Sequence, residues 1–222
     1  MNEYYNVLRS VNLFKNIDME ELASLLTCLD AKIEKVKKDG IILLAGDAPK
    51  YVGIVLTGQL HIIQEDLNGS SSLLSVIEPG EIFAEALCCA GILESPVTVI
   101  ANAHSVIMML SFSRILHTCP SSCSFHTKLI ENMLGIISNK NLMLQNRIEI
   151  ISIKSIRAKV MRYLESLVLK QSKNITIPFN REKLADFLCV DRSALSHELA
   201  RMKKDGLIEY KKNVFKIKMS SN

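Results

Sequence analysis

Apolar positions along the chain follow three rhythms in turn. Up to residue 30 the spacing is helical. Leu22, Leu25, Leu26 and Leu29 share a face, and Asp18 with Glu21 three residues on has the form of a capping box. From Ala31 the rhythm shortens into β-type runs at 41–44, 52–56, 60–63, 73–77, 97–101 and 106–110. Gly58, Gly69, Gly80 and Gly91 punctuate these runs at an interval of 11, which predicts a sandwich or small barrel. From Ser124 the helical rhythm returns and lasts almost to the C-terminus.

Within 124–152, Ile130, Leu134, Ile137, Asn141, Leu144, Ile148 and Ile151 are separated by alternating gaps of four and three. That is a heptad seam, and its one polar member, Asn141, suits the register of a two-stranded pair. A second face of Leu129, Met133 and Ile136 could bury the first half of the helix against its own domain. Lys140 and Arg147 interrupt that face further on, so the pattern predicts a parallel dimer helix.

Residues 153–170 read as another amphipathic helix, with Ile156, Val160, Leu164 and Leu167 inward, and 175–177 as a short strand. In 180–207 two short helices meet at a tight turn. Asn180 caps the first, whose face is Leu184, Ala185 and Leu188. Asp191 caps the second, Leu195, Leu199 and Met202 give it a buried stripe, and Gly206 stops it. Opposite that stripe lie Ser193, His197, Ala200 and Lys204, flanked by Arg192, Ser196, Arg201 and Lys203, a surface suited to a major groove. Residues 207–210 and 214–217 alternate around Lys211-Lys212-Asn213 as a hairpin with a basic tip.

Charge sharpens this division. The net +4 conceals two unlike halves: residues 1–123 hold 8 Lys+Arg against 14 Asp+Glu, a net of −6, and residues 124–222 hold 19 against 9, a net of +10. A polyanion-binding half joined to an acidic half is the natural meaning. The chain is long enough, and at 48% hydrophobic apolar enough, for two cores. No basic-then-apolar leader and no membrane-spanning run is visible, so a cytoplasmic protein without a membrane partner is expected, its six Cys reduced.

Residues 185–208, ADFLCVDRSALSHELARMKKDGLI, resemble the helix-turn-helix of the Crp/Fnr family of bacterial transcription regulators. The shared features are a Leu-Ala first helix, an Arg-x-x-Leu-Ser recognition start and a closing Lys-Asp-Gly-Leu-Ile. The resemblance implies an α+β chain: an N-terminal double-stranded β-helix (a β-roll of the cyclic-nucleotide-binding type) over 1–123, a dimerisation helix over 124–152 and a winged helix-turn-helix over 153–222. It further implies a homodimeric regulator whose partners are operator DNA and a small-molecule effector of unknown identity, with RNA polymerase a further candidate; no Ser/His/Asp order, Gly-rich phosphate loop or metal-hydrolase motif occurs, so an enzyme is not expected. On that template Arg192, Ser193, Ser196 and His197 face base edges, while Arg181, Arg201, Lys203, Lys204, Lys211 and Lys212 meet phosphates. Ser193 stands where the family usually has Glu, and His197 where it usually has Arg, so the operator should differ.

Ile82-Phe83-Ala84-Glu85-Ala86-Leu87 occupies the place of the family's phosphate-binding cassette, usually Phe-Gly-Glu-Leu followed by Pro-Arg-x-x-Thr. The expected effector pocket is therefore Phe83, Ala84, Glu85, Ala86, Val97 and Thr98. The cassette glycine is Ala84, and no Arg lies between Phe83 and Ala101. A cyclic phosphate needs a cation in place of its water, so the chemistry argues against cyclic AMP. Cys88, Cys89, Cys119 and Cys123 are weak metal candidates and, with Cys28, candidates for a thiol sensor, against the simpler reading of buried packing. His61, His104, His117 and His126 show no paired ligand spacing, which leaves an iron–sulfur cluster or haem open but unsupported. The competing class is a small-molecule-binding module whose basic C-terminal domain docks on a protein or a membrane.

Overall fold

The computed structural model describes residues 2–66, 68–117, 124–168 and 175–218. Contacts divide the chain into two compact units, residues 1–139 and 140–222.

The first unit opens with α1 (Tyr5–Ser10) and α2 (Met19–Cys28). The expected capping box starts α2: the Glu21 carboxylate accepts from the Asp18 amide at 3.2 Å. The strands that follow are β1 (Lys32–Val36), β2 (Ile41–Leu43), β3 (Tyr51–Thr57), β4 (Leu60–Glu65), β5 (Ser71–Ile77), β6 (Ile82–Phe83), β7 (Thr98–Ala101) and β8 (Ser105–Ser111). A short helix α3 (Glu85–Cys89) lies between β6 and β7, and α4 (Phe112–Leu116) follows β8. The strands form two antiparallel sheets, ordered β1-β8-β3-β6 and β2-β7-β4-β5.

Strand β3 shows how the unit is assembled. In a strand successive side chains point to opposite faces, and here both faces are covered. Val52, Ile54 and Leu56 pack with Leu8, Leu25 and Leu29 of the helical layer. Val55 lies on the other side, among Leu60, Phe83, Val99 and Ile107, which come from both sheets. Gly53 is required at its position, because a Cβ there would run into the Phe83 ring.

Helix α5 (Ser124–Ser152) contributes Leu129 and Met133 to the first unit's core, with Ile136 and Ile137 partly buried against it. Lys128 of the same helix pairs with Glu21 at 3.2 Å, and Asn132 donates to Leu13 O and Lys15 O at 3.0 and 2.8 Å. The division of the chain falls inside α5.

In the second unit Ile150 of α5 joins a core built by α6 (Ile156–Val168), α7 (Arg181–Leu188), α8 (Arg192–Lys204) and a three-stranded sheet. That sheet is ordered β10-β11-β9, from β9 (Ile175–Thr176), β10 (Ile208–Lys211) and β11 (Val214–Ile217). Arg162 of α6 grips Glu149 of α5 with two hydrogen bonds of 2.9 Å, so the end of α5 is fixed to this unit. Helix α6 begins at Ile156, three residues later than its periodicity suggested.

Candidate nucleic-acid interface and sensor pocket

The helix-turn-helix is built as its sequence directs. The Asn180 side chain accepts from the Lys183 amide at 2.8 Å and starts α7. Cys189 ends it in the left-handed region (φ 51°), with Val190 N donating to Ala185 O and Cys189 N to Asp186 O, a Schellman pattern made without glycine. Asp191 Oδ1 then accepts from Ser193 N, Ala194 N and Ser193 Oγ at 2.8, 2.9 and 2.6 Å. These bonds hold the Asp191 carboxyl below its usual range, the Ser193 hydroxyl contributing most. Leu195, Leu199 and Met202 of α8 are fully buried, which turns the opposite face outward. A second Schellman turn closes α8: Leu207 N donates to Met202 O and Gly206 N to Lys203 O, with Gly206 at φ 75°.

Two interactions that the sequence did not disclose set the angle of α8 on its support. Arg157 of α6 reaches Glu198 and Asp205 at 2.6 and 2.7 Å, spanning the helix from its middle to its end. Lys159 is buried and donates from Nζ to Leu188 O at 3.0 Å, covering a carbonyl that the end of α7 leaves open.

The outward face carries the expected cations. Arg192, His197, Arg201, Lys203, Lys204, Lys211 and Lys212 are all exposed. Lys203 lies over the Tyr210 ring at 5.5 Å, and Arg201 approaches Glu198 at 3.9 Å. The hydroxyls of the two expected serines are turned to local use, Ser193 to Asp191 and Ser196 to Arg192 O at 2.9 Å. Arg181 departs most from expectation. Its guanidinium lies over the rings of Tyr210 and Phe215 at 4.8 and 5.0 Å and donates to Lys212 O at 3.1 Å. It fixes the tip of the wing to α7 and is half-withdrawn from solvent.

The expected effector residues do not converge. The Phe83 ring is in the core under Gly53. Ala84 keeps the left-handed conformation that a cassette glycine would take, at φ 62°. Glu85 is buried at the start of α3, whereas Ala86 is exposed. Val97 is half-buried and bound by its backbone to Ser95, whose hydroxyl donates to Val97 O at 2.7 Å. Thr98 is buried, with Oγ1 accepting from Ala45 N at 3.0 Å. A cavity of about 310 Å³ does open beside the cassette, and only Phe83 and Ala84 of the expected set line it. Its other apolar walls are Ile42, Leu43 and Met109, and its rim runs along 47–51. Lys50 on that rim is a cation that the span 83–101 could not reveal, since it comes from the segment between β2 and β3, with Asp47 of opposite charge on the same rim.

The metal candidates within the described residues are poor ligands. Cys88 is buried with its thiol aimed at Pro49 O and Tyr51 O at 3.3 and 3.5 Å, and burial raises its pKa to about 11, so it stays protonated. Burial and then Glu85 raise the Cys89 thiol as well. Cys119 and Cys123 lie outside the described residues. No group of three His, Cys, Asp or Glu suited to a metal occurs among the described residues, and none of the described helices is long and apolar enough to cross a membrane.

A winged helix-turn-helix carrying a cationic recognition face, joined to a β-roll, defines a DNA-binding transcription regulator. The cyclic nucleotide-binding domain model matches residues 33–121 and the Crp-like helix-turn-helix model matches 158–219. The chain belongs to the Crp/Fnr family, whose members act as dimers on DNA. It is 26% identical over 207 residues to the probable transcriptional regulator flp of Lacticaseibacillus casei, covering 90% of this chain and 88% of the relative. The fold is similar to that of the Thermus thermophilus catabolite activator protein (TM-score 0.54, 16% identity, 93% of each chain covered). It is similar also to that of DNR from Pseudomonas aeruginosa (TM-score 0.53, 19% identity, 99% and 96% covered). The Crp-like helix-turn-helix match, over 158–219, places a DNA-binding domain in the basic half.

Proposed function

We propose that the chain works as a cytoplasmic, non-enzymatic homodimer that reads operator DNA with Arg192 and His197 of α8. Arg201, Lys203, Lys204, Lys211 and Lys212 then contact phosphates, and Arg181 positions the wing. The observation that carries this reading is the exposed cationic face of α8 opposite a fully buried stripe. RNA polymerase is the further partner expected of an operator-bound regulator.

Dimerisation through α5 is supported by its exposed apolar positions. Leu134, Leu144 and Ile148 of the heptad seam are 60%, 59% and 59% exposed, far more than an isolated helix surface favours. Asn141 sits exposed between them. Ile137 is partly engaged with the first unit's core, so Leu144 and Ile148 are the cleaner probes. Leu144→Lys with Ile148→Lys should give a folded monomer by sedimentation, with operator affinity reduced about a hundredfold or more. A double variant that remains dimeric would dismiss the seam.

For the β-roll we infer a signal other than cyclic AMP. Thr98 and Ser95 are committed to backbone partners, Glu85 adds a buried carboxyl, and Lys50 at the rim is exposed. A phosphate taken into such a site would lose more hydration than these groups return. Calorimetry should detect no cyclic AMP binding at concentrations up to about 1 mM; micromolar binding that also tightens operator affinity would reverse this conclusion.

A further inference from the structure

The His126 side chain is completely buried near the start of α5, and its Nδ1 meets no hydrogen-bonding partner among the described residues. A buried polar atom left unpaired carries a desolvation cost, and such atoms call for a reason beyond packing. The other ring nitrogen supplies one. Nε2 lies 3.9 Å from Sγ of Cys28, a half-buried residue that ends α2. Arg114 Nη1 donates to Cys28 O at 3.2 Å, which places a guanidinium beside the same residue and covers a carbonyl that the helix end leaves open. An imidazole nitrogen within reach of a cysteine sulfur is the arrangement that makes a thiol nucleophilic.

We propose that Cys28 and His126 form a thiol–imidazole pair that reacts with hydrogen peroxide, and that the product is the signal carried to α5. The Cys28 thiol gives its proton to His126 Nε2, and the thiolate attacks one peroxide oxygen. The O–O bond breaks, sulfur loses two electrons to the peroxide, and the departing hydroxide recovers the proton from the imidazolium as water. Cys28 is left as a sulfenic acid. Peroxide is small and uncharged, so it needs none of the cationic groups that the cassette lacks. The added oxygen changes what the buried His126 ring meets, at the first turn of the helix that runs on to the DNA-binding unit.

The labelling chemistry is independent of DNA binding, whereas its regulatory consequence rests on the operator-binding reading above. Reduced full-length protein, treated with one equivalent of hydrogen peroxide and a sulfenic-acid trap, should be labelled at Cys28 at least about tenfold faster than at Cys89 or Cys189. Exposure alone predicts the reverse order, because Cys89 and Cys189 are the exposed thiols. His126→Gln should slow Cys28 labelling about tenfold or more and leave Cys189 unchanged. Peroxide should shift operator affinity in the native protein and not in Cys28→Ser. Equal labelling of the three thiols in the native protein would overturn the pair whether or not the variant folds. So would Cys28 protection that only a chelator relieves, which would make it a metal ligand. Fast labelling with unchanged operator affinity would overturn the signalling half alone.

Discussion

The cassette of the β-roll and the turn of the helix-turn-helix share a backbone device and then part company. Each places a non-glycine residue in the left-handed region just ahead of a helix or its cap, Ala84 at φ 62° and Cys189 at φ 51°. Beyond Ala84 the polar groups turn inward, Thr98 to Ala45, Ser95 to Val97, and Glu85 into the core. Beyond Cys189 the cap is satisfied locally by Asp191, and the long cations of α8 are left in solvent. One region turns its polar side chains inward beside a cavity, a closed arrangement, and the other leaves its cations in solvent, an open one. The family match gives the architecture of both units, and the contrast in exposed cations is what underlies the proposal of anion recognition by the second alone.

The largest single-residue effect should come from breaking the closed region. Gly53→Ala drives a methyl into the Phe83 ring, beneath the cassette. Overpacking of this kind costs about 1–3 kcal/mol, and the upper part is expected because the ring is held by both sheets. Denaturant unfolding should show the loss in the transition of the β-roll. A variant as stable as the native protein would mean that Phe83 can move aside.

The open region should respond in two distinguishable ways. Arg192→Ala is expected to cost about 1–3 kcal/mol on operator DNA and little on random DNA, since a base-edge contact carries the specificity. Lys204→Ala and Lys212→Ala should weaken both equally and reduce the log–log salt slope by about one for each phosphate no longer neutralised. Equal weakening on both DNAs for Arg192→Ala would reassign it as a phosphate clamp.

How much of this was legible beforehand depends on the range of the interaction. The capping box at Asp18, the caps at Asn180 and Asp191 and the stop at Gly206 are local, and all appear where the sequence places them. The six strands read from β-type runs are present as well. Strand β1 was missed because Lys32, Glu34 and Lys35 occupy a strand exposed along most of its length, and β6 because two residues make no pattern. The roles of Arg181, Lys159 and Lys50 depend on partners that arrive through the fold. His126 and Cys28, 98 residues apart, carry no periodicity that could join them.

Acid should weaken the open region through its cap. The folded Asp191 carboxyl sits below its ordinary value of 3.8, so its contribution is complete above that value and is lost as pH falls through the lower folded value. Asp191→Asn retains a good capping side chain and removes the charge. Its melting temperature relative to the native protein should therefore improve as the pH is taken below about 3.8. A constant difference between the two proteins across that range would show that the charge of Asp191 adds nothing beyond hydrogen bonding.

The smallest effects test the shared backbone device itself. A left-handed residue with a Cβ is strained by about 1–2 kcal/mol, and glycine relieves this while gaining freedom in the unfolded chain worth about 0.4–1 kcal/mol. Cys189 is exposed, so its side chain has little packing to lose, and Cys189→Gly should stabilise the second unit by about 0.5 kcal/mol. Ala84 is half-buried against the cavity wall, so Ala84→Gly also loses part of a buried methyl, worth at most about 0.8 kcal/mol, and should come out near neutral. Denaturation midpoints at unchanged slope would measure both. If Cys189→Gly destabilises the unit, the left-handed turn is supported by thiol interactions in solution, and the likeness between the two turns does not extend to their energetics.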